Sequence, residues 1–188
     1  MKEDILRDYL RSLNLRNGCC LIDKKKFVNN RWLIKDQYRF MGVDNCIKNK
    51  AACIYDIPFI LKEFAQNNNI KCAVIGAILD YNGADRDARL YFAYQNEDNL
   101  WVIDNNVVPY KDVTIDKVKL HFAYRLSEKY PQPSKIIVGE VNNGFERHCI
   151  GLRFNSFVSR LQANISNRII IDVAKDKKEL PGGYGCLI

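Results

Sequence analysis

The sequence predicts an α+β domain in which a central helix packs on a mostly antiparallel sheet. Three observations carry that expectation. Apolar residues recur at helical spacing near both ends of the chain and again around Ile57. Apolar runs of strand length gather from residue 70 onward, and turn-rich stretches separate them at hairpin distances. Helical and strand patterns are grouped rather than strictly alternating, which suits an α+β chain better than a parallel βαβ one.

The elements follow in order. From Glu3 to about Leu15, the residues Ile5, Leu6, Tyr9, Leu10 and Leu13 form one stripe of an amphipathic helix, which Asn17–Gly18 closes. "CCLID" reads as a short buried strand, and Lys24 to Asn45 as loops or short elements. The central helix spans "KAACIYDIPFILKEFAQ", Lys50 to Gln66, with Ile57, Ile60, Leu61 and Phe64 on its apolar face. Pro58 leaves two choices at its start. Either the helix already runs at Lys50 and kinks, or Asp56 is the N-cap, Pro58 sits in the first turn and Cys53 precedes the helix.

"IKCAVIGAIL" is apolar without alternation, so it reads as a strand covered on both faces. "ARLYFAY" and "LWVIDN" make a hairpin around "QNEDN", with Tyr94 and Trp101 as core residues or hairpin cross-strand partners. Further strands are expected at "KLHFAYRL" and "KIIVGEV". The first of these repeats four of five positions of "LYFAY", which suggests paired strands with similar faces. Phe157, Val158, Leu161 and Ile165 are spaced as a helix from Phe154, "RIIIDV" is a last strand, and residues 174–188 read as a flexible tail after a single domain over 1–173.

Composition bounds the function. The chain of 188 residues is 47% hydrophobic and 27% charged, as in a globular protein with its own core. No run approaches the ~20 apolar residues of a membrane span, and the N-terminus has no continuous apolar stretch of the secretory kind. A soluble, cytoplasmic protein is the expectation, with no membrane partner and an oligomeric state left open. The seven cysteines, scattered and odd in number, are expected to be reduced thiols. No paired Cys or His spacing marks a zinc site, so neither metal nor cofactor is expected. The net charge of +7 and the cluster Lys24–Lys26 suit an acidic partner, or simply a solvated turn.

Cys53 near a helix start, then a buried strand, a loop, and a hairpin ending in "WVIDN", resembles the bacterial transglutaminase-like cysteine proteinases of the papain-type superfamily. "AACIYDIPFILKEF" resembles their cysteine helix, and "ARLYFAYQNEDNLWVIDNNVVP" their histidine and aspartate strands. The likeness covers about Asp36 to Val113. It implies a papain/transglutaminase-like core, Cys53 as nucleophile and Asp104 as the third catalytic member. The histidine place falls on Arg89, or on Ala88 if the register slips, and Ile54 stands where an acidic residue follows the family's cysteine. An arginine stays protonated and cannot act as the general acid.

The chain has two histidines. His121 is the candidate base if its strand lies beside Cys53, with Asp104, Glu140 or Asn142 to orient it. His148, beside Cys149, is the second. Each has a plain alternative: a packed strand histidine, a core thiol at Cys53, a turn acceptor at Asp104. Three functions are therefore in play. The first is a cysteine peptidase, amidase or acyl transferase acting on a protein or peptide. The second is a catalytically lapsed member of that fold that binds a protein. The third is a basic nucleic-acid binder using the aromatic strands.

Overall fold

The structure is a computed structural model that describes residues 1–17, 27–28, 31–32, 40–82, 85–103, 106–107, 114–152 and 154–176. The chain begins with helix α1 (Lys2–Leu13), which Asn14 ends in the left-handed conformation. Arg16–Asn17 is not a helix end but a short strand, β1, lying parallel to β4 (Ala51–Ala52). β2 (Phe27–Val28) and β3 (Arg31–Trp32) pair with each other. Helix α2 (Val43–Asn49) starts after Gly42, whose φ of 82° favours glycine.

Helix α3 (Ile57–Asn67) has Asp56 at its N-cap position and Pro58 in its first turn, so Cys53 precedes it. Residues 50–56 are therefore outside the helix. Strands β5 (Cys72–Tyr81), β6 (Asp85–Gln95), β7 (Trp101–Ile103) and β8 (Asn106–Val107) follow as successive antiparallel neighbours. Asn96 shapes the β6–β7 turn, its side-chain oxygen accepting from the backbone N–H groups of Asp98 (2.9 Å) and Leu100 (3.0 Å).

The strand expected at "KLHFAYRL" is instead part of helix α4 (Ile115–Lys129). Thr114 caps it, its side chain accepting from the Lys117 N–H at 3.3 Å, and Asp116 complements the positive end. Strand β9 (Lys135–Val141), a 3-10 turn (Phe145–His148), helix α5 (Phe154–Ala163), strand β10 (Ile165–Asp172) and the short helix α6 (Val173–Asp176) complete the described chain. Residues 174–176, expected in a tail, thus belong to a helix; "CCLID", Lys24–Lys26 and the tail beyond 176 lie outside the described residues.

The main sheet has the order β10-β9-β5-β6-β7-β8, antiparallel throughout, and the chain is α+β. β5 is central, and its alternation separates two cores. Val74 and Ile78 face one side, with Phe59 of α3 and Phe157 and Leu161 of α5. Ala73, Ile75, Ala77 and Leu79 face the other, with Val118, Ala123 and Leu126 of α4. This double cover explains the unbroken apolar run. On the first side α1 packs against α3, with the Tyr9 and Phe64 rings stacked at 3.9 Å.

β9 and β10 carry one irregularity. Ser166 pairs with Glu140 and Ile169 with Val138, so β10 has an extra residue there, a bulge with Asn167 at φ 47°. The Lys119 ammonium, fully buried on α4, donates to the Asn167 carbonyl at 3.2 Å and pairs with Asp116 at 2.7 Å. Gly139 lies opposite Gly76, and a Cβ on it would stand 1.8 Å from Ile165 Cγ2.

Candidate functional site

Cys53 lies in the turn that leads into α3, with only 2% of its surface exposed. Its neighbours in the core are aromatic and aliphatic, among them Phe40, Tyr55, Phe59, Ala88 and Phe157. Among the described residues, the one charged group acting on it is Asp56, itself fully buried. The Asp56 carboxylate accepts from the backbone N–H groups of Met41 (3.1 Å), Gly42 (2.9 Å) and Cys53 (3.2 Å). It therefore ties the segment before α2 to the start of α3. Burial, and then the Asp56 carboxylate, push the Cys53 thiol well above the ordinary thiol range, and the same two causes push Cys46 up to about 12. A nucleophilic cysteine needs the opposite, a cation or imidazolium that favours the thiolate.

Position 88 shares the Cys53 side of β6, where Ala88 is fully buried and its carbonyl accepts from the Tyr55 hydroxyl at 3.3 Å. The register places Arg89 opposite Ala77, on the α4 side of the sheet. There it pairs with Asp87 at 2.8 Å and lies over the Tyr130 ring. The two places that the resemblance offers for a histidine therefore fall on opposite faces: one holds a methyl group, and the other a paired guanidinium.

His121 belongs to α4, so the sheet stands between its helix and the Cys53 core. It is 4% exposed, and burial, followed by the nearby Arg125, lowers its pKa. The structure does not bring His121 and Cys53 together. Glu140 is the cross-strand partner of Ile75 and so shares the α4 side, while Asn142 accepts from the Ser166 hydroxyl. His148 is exposed in the 3-10 turn; the adjacent Cys149 is fully buried in the same core as Cys53, its thiol pushed up to about 11 by burial. Asp104 lies outside the described residues.

Sequence reasoning missed what lies on the outer side of the Cys53 turn. Ile54 is 59% exposed and stands at a groove of about 400 Å³ between α1, the start of α3 and β6. Leu6, Leu10, Pro58, Leu61 and Phe92 line it, with Glu3 and Arg7 on the α1 side. The signal was present: Ile54 is apolar where the resemblance calls for an acid. Among the described residues no group of three or more His, Cys, Asp or Glu side chains gathers as a metal site requires. None of their helices is long and apolar enough to cross a membrane. No family model matches this chain, and neither a curated protein nor a solved structure matches it.

Proposed function

We propose that this chain is a protein-binding module on a papain/transglutaminase-like scaffold. In this reading Cys53 is a core residue, and a partner polypeptide occupies the groove beside Ile54. The observation that carries it is the setting of Cys53: a buried thiol against a buried carboxylate, with Ala88 on the strand face where a base would stand. The groove adds an apolar floor of a size that takes one or two side chains, next to a large exposed isoleucine.

Two linked measurements test this. Alkylation of each cysteine is followed against pH in the native protein, and Cys53 is expected to stay protected at pH 8 in both wild type and His121→Ala. Partner capture is then compared across variants; retention by Cys53→Ala and loss in Ile54→Asp is the expected pattern. Fast alkylation of Cys53 below pH 8 that disappears in His121→Ala would restore the cysteine hydrolase. Capture that survives Ile54→Asp would remove the groove from the interaction.

A further inference from the structure

A second concave surface lies away from Cys53, between the 3-10 turn and α5. It is a groove of about 710 Å³ lined chiefly by His148, Asn155, Ser156, Ser159, Arg160 and Asn164. Asn155 and Ser159, and Ser156 and Arg160, recur at i and i+4 on α5, so one helix face supplies most of the wall. An exposed helix face normally carries charges of both signs. α1 does so with Glu3, Asp4, Arg7, Asp8 and Arg11, and α4 with Asp116, Arg125 and Glu128. α5, FNSFVSRLQA, contains no acid, and among the described residues no carboxylate side chain lines the groove.

The cations here are posed rather than neutralised. One Arg160 nitrogen donates to the His148 carbonyl at 3.0 Å, which holds the guanidinium at the groove wall, and among the described residues its other N–H groups have no partner that would keep them from a ligand. Arg86 reaches α5 from the neighbouring strand, donating to the Ser159 hydroxyl at 3.1 Å and to the Gln162 side chain. Because Ser159 accepts there, its own proton is left to donate. Neither Arg86 nor Arg160 has an ion-pair partner among the described residues. The turn itself carries a carboxylate, Glu146, one oxygen of which is buried with no hydrogen-bond partner among the described residues. Glu146 and Arg160 act on Cys149 in opposite senses, so both stand close to it.

We propose that this groove binds a phosphorylated small molecule, with Arg160, Ser156 and Ser159 holding the phosphate. Guanidinium and hydroxyl donors match the several acceptor oxygens of a phosphate, and a charge-assisted pair with arginine is the strongest contact such a surface offers. The volume exceeds that of a bare phosphate and lies within the range of small-molecule sites, so the remainder of the ligand has room beside it.

The test is titration of the full chain with inorganic phosphate, with a nucleoside monophosphate and with a single-stranded oligonucleotide, at matched ionic strength. Backbone amide shifts at Ser156, Ser159 and Arg160 are the readout. The expected result is saturable binding of the monophosphate, weaker binding of phosphate alone, and a loss of about tenfold in affinity in Arg160→Gln. Glu146→Gln removes a nearby negative charge and is expected to tighten binding, an effect that general damage to the fold would not give. Three outcomes would overturn the proposal: no shift with either phosphate ligand, affinity unchanged in Arg160→Gln, or binding of the oligonucleotide alone, which would make the face a polyanion surface.

Discussion

Replacing Asp56 by alanine tests the packing around Cys53 most directly. The carboxylate is fully buried and accepts from three backbone N–H groups, those of Met41, Gly42 and Cys53, at 2.9 to 3.2 Å. In Asp56→Ala those donors lose their acceptor, at about 1–3 kcal/mol for each donor left buried and unpaired. Removing a buried carboxylate also relieves its desolvation, which offsets part of that loss. A net destabilisation of about 3–4 kcal/mol follows, or a fall in Tm of roughly 6–16 °C for a chain of this size. Asp56→Asn keeps one acceptor oxygen for Gly42 and turns an amide N–H₂ toward Cys53, so about half that loss is expected. Urea denaturation followed by circular dichroism measures both. Alkylation at pH 9 adds a second readout, since without the carboxylate one cause of the raised Cys53 and Cys46 pKa values is gone. A loss below about 1 kcal/mol in Asp56→Ala, or equal losses in both variants, would refute the assignment.

Gly139→Ala places a Cβ 1.8 Å from Ile165 Cγ2 and 2.7 Å from the Ser166 carbonyl oxygen, so β9 and β10 must separate. A cost of at least about 1–3 kcal/mol is expected by urea denaturation, and Gly76→Ala, which meets only side chains at 3.1 to 3.6 Å, is expected to cost less. Stability is expected to fall on the alkaline side. Cys46, Cys53 and Cys149 have raised pKa values in the fold, so their contribution is complete below the unfolded thiol value of about 8.5 and is lost as pH rises from there through the folded values. Thermal scans from pH 8 to 11 read this, and Cys149→Ala is expected to flatten the slope. His121 acts on the acid side. Its folded pKa is lowered, so its contribution is present above the unfolded value of about 6.5 and is lost as pH falls below it. An unchanged acid limb in His121→Phe would contradict this.

Much of the sheet was legible because its patterns are local. "IKCAVIGAIL" has no polar face, and the two cores on either side of β5 are the reason. Pro58 and Asp56 between them mark the start of α3, although Asp56 turns its carboxylate to the preceding segment instead of capping its own helix. "LHFAY" misled. Its likeness to "LYFAY" suggested a paired strand, whereas Val118, Phe122 and Leu126 fit a helical repeat equally well. Thr114 and Asp116 were the deciding local signals, and a pentapeptide comparison does not weigh them. The candidate site was less legible still. Whether Cys53, His121 and Arg89 meet depends on which face of a sheet each element covers. β9 joins β5 after α4 has crossed the far side, an arrangement no single segment encodes. The Arg160 groove was hidden for a different reason: its polar residues look like an ordinary solvated helix face until the 3-10 turn closes one side of it.

The bulge in β10 has a bearing on self-association. β10 is an outer strand, with Ile170 57% exposed, and a long flat edge of that kind invites another chain to add a strand. The extra residue at Asn167–Arg168 breaks the edge after its first two residues and leaves only Ile169–Asp172 in regular register. The Lys119 ammonium holds the Asn167 carbonyl from within the core, so the kink is anchored and resists straightening against an incoming strand. Lys119→Met would release that anchor while keeping the buried bulk. The variant is then expected to form intermolecular sheet on concentration or mild heating sooner than wild type, at a stage when circular dichroism still reports a folded chain.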